Sequence, residues 1–423
     1  MGSFIRPTRV SDVSLDRVHI DALADAAASL STELQVSRPS TSPAGYFTTA
    51  MDPLVDADGV ACLTPIGSPV VQTVSLEAAA GWTAPVQRVH GIDAGTINPT
   101  TFRNGLVMDA AQAAMASDPV DVSLHRRRTL VATAHIADET IDVTTEWQRT
   151  DVGYGRFRMI QTPQISRYAE GVVHALALYL AEGAHALEHI EAIESCLVLD
   201  GPLYPLELLR WRSGEDRLRT VASTGYPTEA IRTYLTLIDR LITSDRLVFG
   251  FVKNPSARGI VATLRAQGET IPWVTDTAFF AELMGDGSDP HRLVYTNWFR
   301  SALGPDRAVA QLPAVVGVDL EGAAAGMQRC FMMVYDPRET VVYRVDAPAA
   351  LVEEPGLRQQ IERIVLQSVA VEGGPPTVIR RADHLARIGR GEKARLKRRF
   401  ARMLESPQLR RYDDVRWGLT DRR

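Results

Sequence analysis

Cysteine, long apolar runs and lysine are all scarce in this 423-residue chain, and each scarcity excludes something. The only cysteines, Cys62, Cys196 and Cys330, are far apart and odd in number. They suit neither a disulfide framework nor a cysteine zinc site. Cys196 lies in the apolar run SCLVLD and reads as core, so a reducing, cytoplasmic setting is expected. The stretch nearest to a membrane span, GVVHALALYLAEGAHAL, is interrupted by His174, Glu182 and His185, so no membrane association is expected. The opening MGSFIRPTRV carries no apolar stretch, so no signal peptide is expected. Arg6 stands where a myristoylation motif wants Ser or Thr. Only three of the 46 basic residues are lysines: Lys253, Lys393 and Lys397. Arginine is the default cation, which makes each lysine conspicuous. With a net charge of −5, any nucleic-acid partner must be met by a local patch.

What is present starts with the stretch from Val86 to Gly105. Val86, Val89 and Ile92 alternate with Gln87, Arg88 and His90, a strand pattern that runs into Asp93, Ala94, Gly95 and Thr96. A carboxylate at a strand end, followed by small residues, leaves room for a charged ligand. A divalent metal with a phosphate is the first candidate, because hard cations take carboxylate oxygen. Gly95 removes a side chain that would block backbone approach, and Thr96 offers a hydroxyl. A turn Asp capping its own backbone explains the same residues equally well. D-x-G-T also resembles the first phosphate loop of sugar kinases and actin-like ATPases. A strand-end Asp before small residues opens the RNase H-like nucleases too.

The rest of the chain weighs these readings. Residues 1–42 hold one helix with Ser14 as its cap, and SRPSTSP follows as a loop. Residues 43–85 read as irregular, apart from a short strand near Val60 to Leu63. Strands are expected at Gly105 to Ala114 and Arg128 to Ala137, then a linker over 138–163 and a long helix from Ser166 to Glu194. Continuous apolar runs at 196–200 and 247–253 read as buried strands, separated by a helix at 227–243. Residues 270–328 are mixed, with a strand at Leu293 to Trp298. RCFMMVYD and TVVYRVDAP form a hairpin, and helices over 354–371 and from Pro376 to Glu405 close the chain. The order β-β-β-α-β-α-β with a closing helix is that of an RNase H-like mixed α/β sheet flanked by helices. An N-terminal helical and irregular extension (1–85) and a mid-chain insertion are added to it. The nuclease-type domain would span 86–405, followed by a basic tail at 406–423. The extension would be an arm or a dimerisation element.

In that topology the first and fourth strands are neighbours. Asp93 and Asp200 would then meet, although Asp200 alone could be an ordinary Asp-Gly-Pro turn. A third metal ligand is expected from the long helix, and Glu170 lies in its first turns on an apolar face. A buried carboxylate needs a partner or a metal. Capping the helix N-terminus is the alternative. His174, one turn on, could reach the same site but reads better as core or surface. The closing helix offers Asp383, expected to face inward, and His384 as ligands for a second metal. Lys253, ending GFVK, could hold the scissile phosphate or the attacking water. Arg387, Arg390, Lys393, Lys397 and Arg398 make a candidate phosphate-backbone patch, as does the shorter cluster Arg126 to Arg128. A charge run is otherwise a solvated helix face.

With these residues assembled, the chain resembles the NurA nuclease family, most closely its haloarchaeal-type members. The matching text is HGIDAGTINPTTFRNGLV, RYAEGVVHALALYLAE, LVLDGPLYP, GFVKNP, VYDPRETVVYRV and ADHLARIGRGEK, from about residue 86 to 395. The resemblance implies an RNase H-like core, manganese dependence (magnesium being the second candidate), and 5′-to-3′ exonuclease action on single- and double-stranded DNA. It also implies single-strand endonuclease action, a homodimer, and a HerA-type hexameric ATPase as partner in DNA-end resection. Asp93, Asp200 and Glu170 match its acidic positions. The family's AH in the closing helix is ADH here, so Asp383 stands in the histidine's place and His384 is shifted by one. The mechanism expected is two-metal phosphodiester hydrolysis, with Asp93 bridging the ions and Thr96 at the polar rim beside a DNA phosphate. An actin-like ATP phosphotransferase and a catalytically silent DNA-end adaptor are the alternatives. The first is weakened because 92 residues precede Asp93 and no second glycine-rich motif follows.

Overall fold

The computed structural model describes residues 16–36, 42–138, 140–150, 153–164, 167–214 and 216–409, the side chains of 31–36, 167–173, 213 and 217 excepted. Five strands carry the candidate site and one joins their edge. They are β1 (Val89–Thr101), β2 (Val107–Asp118), β3 (Arg128–Ile136), β4 (Gly155–Pro163), β5 (Cys196–Asp200) and β6 (Leu247–Val252). β1, β2 and β3 form an antiparallel meander. β5 lies parallel to β1 on its other side, and β6 parallel to β5. The spatial order β3-β2-β1-β5-β6 is the RNase H-like arrangement. The hairpin β7 (Arg329–Asp336) and β8 (Val341–Pro348) extends the sheet beyond β6, and further short strands bring it to fourteen among the described residues.

The apolar patterns explain these placements. β5 and β6 are covered on both faces, so CLVLD and LVFGFV are buried almost throughout. Helix α1 (Arg167–Glu188) buries Leu176, Ala177, Leu180 and Ala181 at helical spacing, and α2 (Tyr226–Thr243) packs against α1. After α3 (Pro355–Glu372), α4 (Thr377–Ala386) covers β1 and β2 with Val378, Ile379, Ala382 and Ala386. Its close approach depends on glycine: a Cβ at Gly91 would lie 2.7 Å from the Val378 carbonyl carbon. The single closing helix expected from Pro376 is two. An extended Arg387 ends α4, and α5 (Arg390–Met403) starts anew, with the Gly389 amide donating to Glu392 Oε2 at 2.8 Å.

Two segments read as linker or irregular chain are sheet. β4, expected to be linker, runs parallel to β3 and widens the sheet. In the N-terminal segment, the strand expected near Val60 to Leu63 is Ala61–Pro65 and pairs with Phe299–Ser301, and the unexpected strand Val71–Ser75 pairs with Arg292–Thr296. Phe47, Met51, Leu54 and Leu63 join Phe279, Phe280 and Phe299 in a second core. The N-terminal helix Arg17–Val36 stands apart from both cores, with Val18, Ile20, Leu23 and Leu30 exposed. The proposed cap Ser14 lies outside the described residues. Cys62, Cys196 and Cys330 are buried and free. Among the described residues no helix is long and apolar enough to cross a membrane.

Candidate active site

The parallel ladder between β1 and β5 pairs Val89 with Cys196 and ends with Ile92 opposite Leu199. The next positions are Asp93 and Asp200. Residues paired in a parallel ladder point to the same side, so the two carboxylates meet where the ladder ends. Asp93 does not end its own strand, because β1 continues along β2 to Thr101. Asp200 pairs in turn with Phe251 on β6, and two residues further Lys253 Nζ donates to Asp200 Oδ2 at 2.6 Å. Asp93 Oδ1 accepts from the Ala94 amide at 2.7 Å.

The electrostatics follow from this crowding. Burial and the Asp200 charge push the Asp93 carboxyl up to about 7, against the pull of Lys253. Burial also raises Asp200, while the Lys253 ammonium lowers it. Asp383 raises both. That coupling places the α4 carboxylate within electrostatic reach of the pair, although α4 leaves Asp383 and His384 exposed rather than inward. The reason is the helical stripe: Ile379, Ala382 and Ala386 take the inward positions.

The helix acid that the structure brings to this centre is Glu182. It is buried on α1, and Tyr234 Oη donates to its Oε2 at 2.8 Å. Its Oε1 has no hydrogen-bond partner among the described residues. Burial, then Asp93 and also Asp200, hold its carboxyl well above the usual range. Glu170 stands twelve residues earlier on the same helix, about 18 Å away along the axis; its side chain lies outside the described ones. His174 is turned elsewhere, with Nδ1 3.7 Å from Asp109, to which His135 Nε2 is bound at 3.0 Å. Glu182 was hidden by its surroundings. A carboxylate amid LYLAEGAHAL is itself the signal, since a charge there needs a reason.

The other expected residues spread around the centre. Thr96 is half-buried on the opposite face of β1 from Asp93. Gly95 does share the face of Asp93, but its space is filled: a Cβ there would lie 2.3 Å from the Ala386 carbonyl oxygen. It serves helix packing and leaves no opening for a phosphate, which also counts against the kinase-like reading. Arg387, Arg390 and Arg398 are exposed, while Lys393 and Lys397 are half-buried. No residue of α5 is buried. The chain beyond α5 returns to the β1–β2 turn, where Arg103 donates to Pro407 O and Leu409 to Thr101 O, both at 2.9 Å.

Among the described residues no three His, Cys, Asp or Glu side chains are drawn together as a closed metal site. The donor set still fits a hard divalent cation. Burial raises the proton affinity of Asp93, Asp200 and Glu182, Asp200 adds to it at Asp93 and both aspartates add to it at Glu182. One buried oxygen, Glu182 Oε1, lacks a hydrogen-bond partner among the described residues.

None of the curated proteins compared matches the sequence. Among solved structures, the NurA nuclease from Sulfolobus solfataricus is similar at 13% identity and a TM-score of 0.47, over 92% of this chain and 98% of that one. A NurA bound to dAMP and manganese is similar at 11% identity and a TM-score of 0.43, over 79% of this chain and 91% of that one. Residues 87–388 match the NurA domain, so the chain belongs to the NurA domain family.

Proposed function

We propose that this protein is a divalent-metal-dependent DNA nuclease, a phosphodiester hydrolase acting on DNA ends. The observation that carries the reading is the register of Asp93 beside Asp200, each carboxylate resisting ionisation because of burial and its neighbours. Membership of the NurA domain family supports it. Asp93, Asp200 and Glu182 would hold manganese, with magnesium as substitute, and Asp383 stands within electrostatic reach. Such an ion supplies a water of lowered pKa and charge stabilisation at phosphorus. The chain's own part is to hold the carboxylates: Lys253 fixes Asp200 through its Nζ, Tyr234 fixes Glu182, and the Ala94 amide fixes Asp93.

The family resemblance supports the finer reading, which belongs to the same proposal. It comprises 5′-to-3′ exonuclease action on single- and double-stranded DNA, endonuclease action on single strands, and end resection with a HerA-type hexameric ATPase. A homodimer and a cytoplasmic setting complete it. The test is degradation of end-labelled linear DNA with manganese and with chelator, by the unchanged protein and by Asp93→Asn. Manganese-dependent shortening that Asp93→Asn abolishes is expected. Equal rates for both proteins, or DNA binding with no cleavage in any divalent metal, would overturn it, the latter leaving the adaptor role.

A further inference from the structure

The sheet face that carries Asp93 is open on its far side. Gly95 pairs with Gln112, Gln112 with Leu130, Leu130 with Phe157, and Phe157 with Gln148 on a short edge strand. Paired residues share a face, and Gly95 shares one with Asp93, two residues before it. A single row of side chains therefore runs from beside Asp93 across to β4. Three strand spacings separate β1 from β4, about 14 Å.

The exposure pattern shows where this face is uncovered. Helix α4 lies over β1 and β2. On β3, Thr129, Val131 and Thr133 are buried, whereas Arg128, Leu130 and Ala132 are half-exposed. On β4, Phe157 is 36% exposed on the same side as Leu130. An aromatic ring set on an open sheet face suits a flat partner.

Cations lie near the row. Arg387 is exposed where the chain leaves α4 directly over Gly95. Beyond the start of β3, exposed Arg126 holds its guanidinium 4.2 Å from the ring of Tyr154, which is itself 39% exposed. The Arg128 amide donates to Tyr154 O, which fixes that pair at the edge of the same strands. An exposed ring with arginines near it suits single-stranded nucleic acid, because every base has a face to stack and every link a phosphate.

We propose that the open face of β3 and β4 is a stacking platform for single-stranded DNA entering or leaving the Asp93 centre. Phe157 is its stacking ring, and Arg387 and Arg126 meet phosphates around it. The link to cleavage rests on the nuclease reading, but the platform itself is tested by binding alone. A fluorescently labelled oligothymidylate is titrated with the full chain in chelator, so that cutting cannot intervene. Phe157→Ala is expected to weaken binding on the order of tenfold, and Phe157→Trp to restore it. Arg387→Glu is expected to weaken binding and flatten its salt dependence. Failure of the intact protein to bind the oligonucleotide, or equal affinity of Phe157→Ala, overturns the proposal. So does a Phe157→Ala protein that keeps its affinity but changes oligomeric state on size exclusion, since the face is then a contact between copies. Weaker binding by Phe157→Ala in a protein without cleavage activity leaves the platform standing and removes only the nuclease reading.

Discussion

Lys253 Nζ reaches Asp200 Oδ2 across 2.6 Å and ties together the ends of two parallel strands. The lysine is 41% exposed and the carboxylate 9%, so the pair sits at the mouth of the site. The ammonium lowers the proton affinity of Asp200 and of Asp93. Removing it, in Lys253→Met, leaves both acids protonated to higher pH. The acid limb of the pH–rate profile is therefore expected to move upward, and kcat to fall at least tenfold. A profile with its acid limb unmoved would show that Lys253 does not tune the pair.

Asp93 gives a pH dependence to stability. Its carboxyl is raised to about 7 in the folded chain from the ordinary 3.8. Between those values the folded state keeps a proton that the unfolded state releases. Folding is thus relatively favoured at low pH, and stability falls as pH rises towards 7. The cost is fully present above 7 and amounts to roughly 2–4 kcal/mol. Metal-free protein is expected to melt at higher temperature at pH 5.5 than at pH 8. Asp93→Asn should flatten that difference, and manganese should offset it at pH 8. Identical melting of the unchanged protein at both pH values, without metal, would count against the raised carboxyl.

The strands of the site were legible because β1, β5 and β6 have simple environments. β5 and β6 are covered on both faces and spell continuous apolar words, and their strand ends carry Asp200 and Lys253. β4 was not legible. Arg156 and Arg158 in GRFRMIQTP look like linker polarity, yet their guanidinium groups lie 4.4 and 6.0 Å from the Trp147 ring. Their guanidinium groups are largely buried and paired, Arg156 with Glu188 and Arg158 with Glu229, so the charges are held by the fold. The expected strand near Val60 to Leu63 is Ala61–Pro65, whereas Val71–Ser75 is five residues, too short for alternation to stand out, and long-range pairing makes it sheet. Glu170 drew attention because it lies in the first turns of α1 on an apolar face, but Glu182, twelve residues on, is the acid that Asp93 meets. Only the packing of α1 on the sheet selects Glu182.

Glu182 and Glu170 make a discriminating pair. Glu182→Gln keeps the shape and the Tyr234 hydrogen bond but removes the charge. Cleavage is expected to fall at least a hundredfold, with the dependence on manganese concentration shifted to higher values. Tyr234→Phe should lower both rate and stability more mildly, by about 1–3 kcal/mol for the latter, because it strips a buried carboxylate of its donor. Glu170→Gln should leave manganese dependence near that of the unchanged protein. Full activity of Glu182→Gln together with loss in Glu170→Gln would move the helix ligand three turns towards the N-terminus.

Gly95 tests whether α4 is part of the site. Its φ is not in the left-handed region, so a methyl group there meets no backbone strain of its own. The conflict is with α4, where the Ala386 carbonyl oxygen would lie 2.3 Å from the new Cβ and the Arg387 Cα 3.2 Å. These are backbone atoms, and no rotamer change relieves them. Gln112 holds the same carbonyl through Nε2 at 3.2 Å, so a shift of the helix end breaks that bond as well. Gly95→Ala is expected to destabilise the fold by about 1–3 kcal/mol, as overpacking does elsewhere. It should also reduce cleavage by displacing Asp383 from the carboxylate pair. Calorimetric melting and initial rates on the same preparation separate the two effects. Asp383→Asn is the comparison, since it removes the charge without moving the helix. Gly95→Ala with unchanged melting and unchanged rate would mean that α4 does not press on β1 at this position.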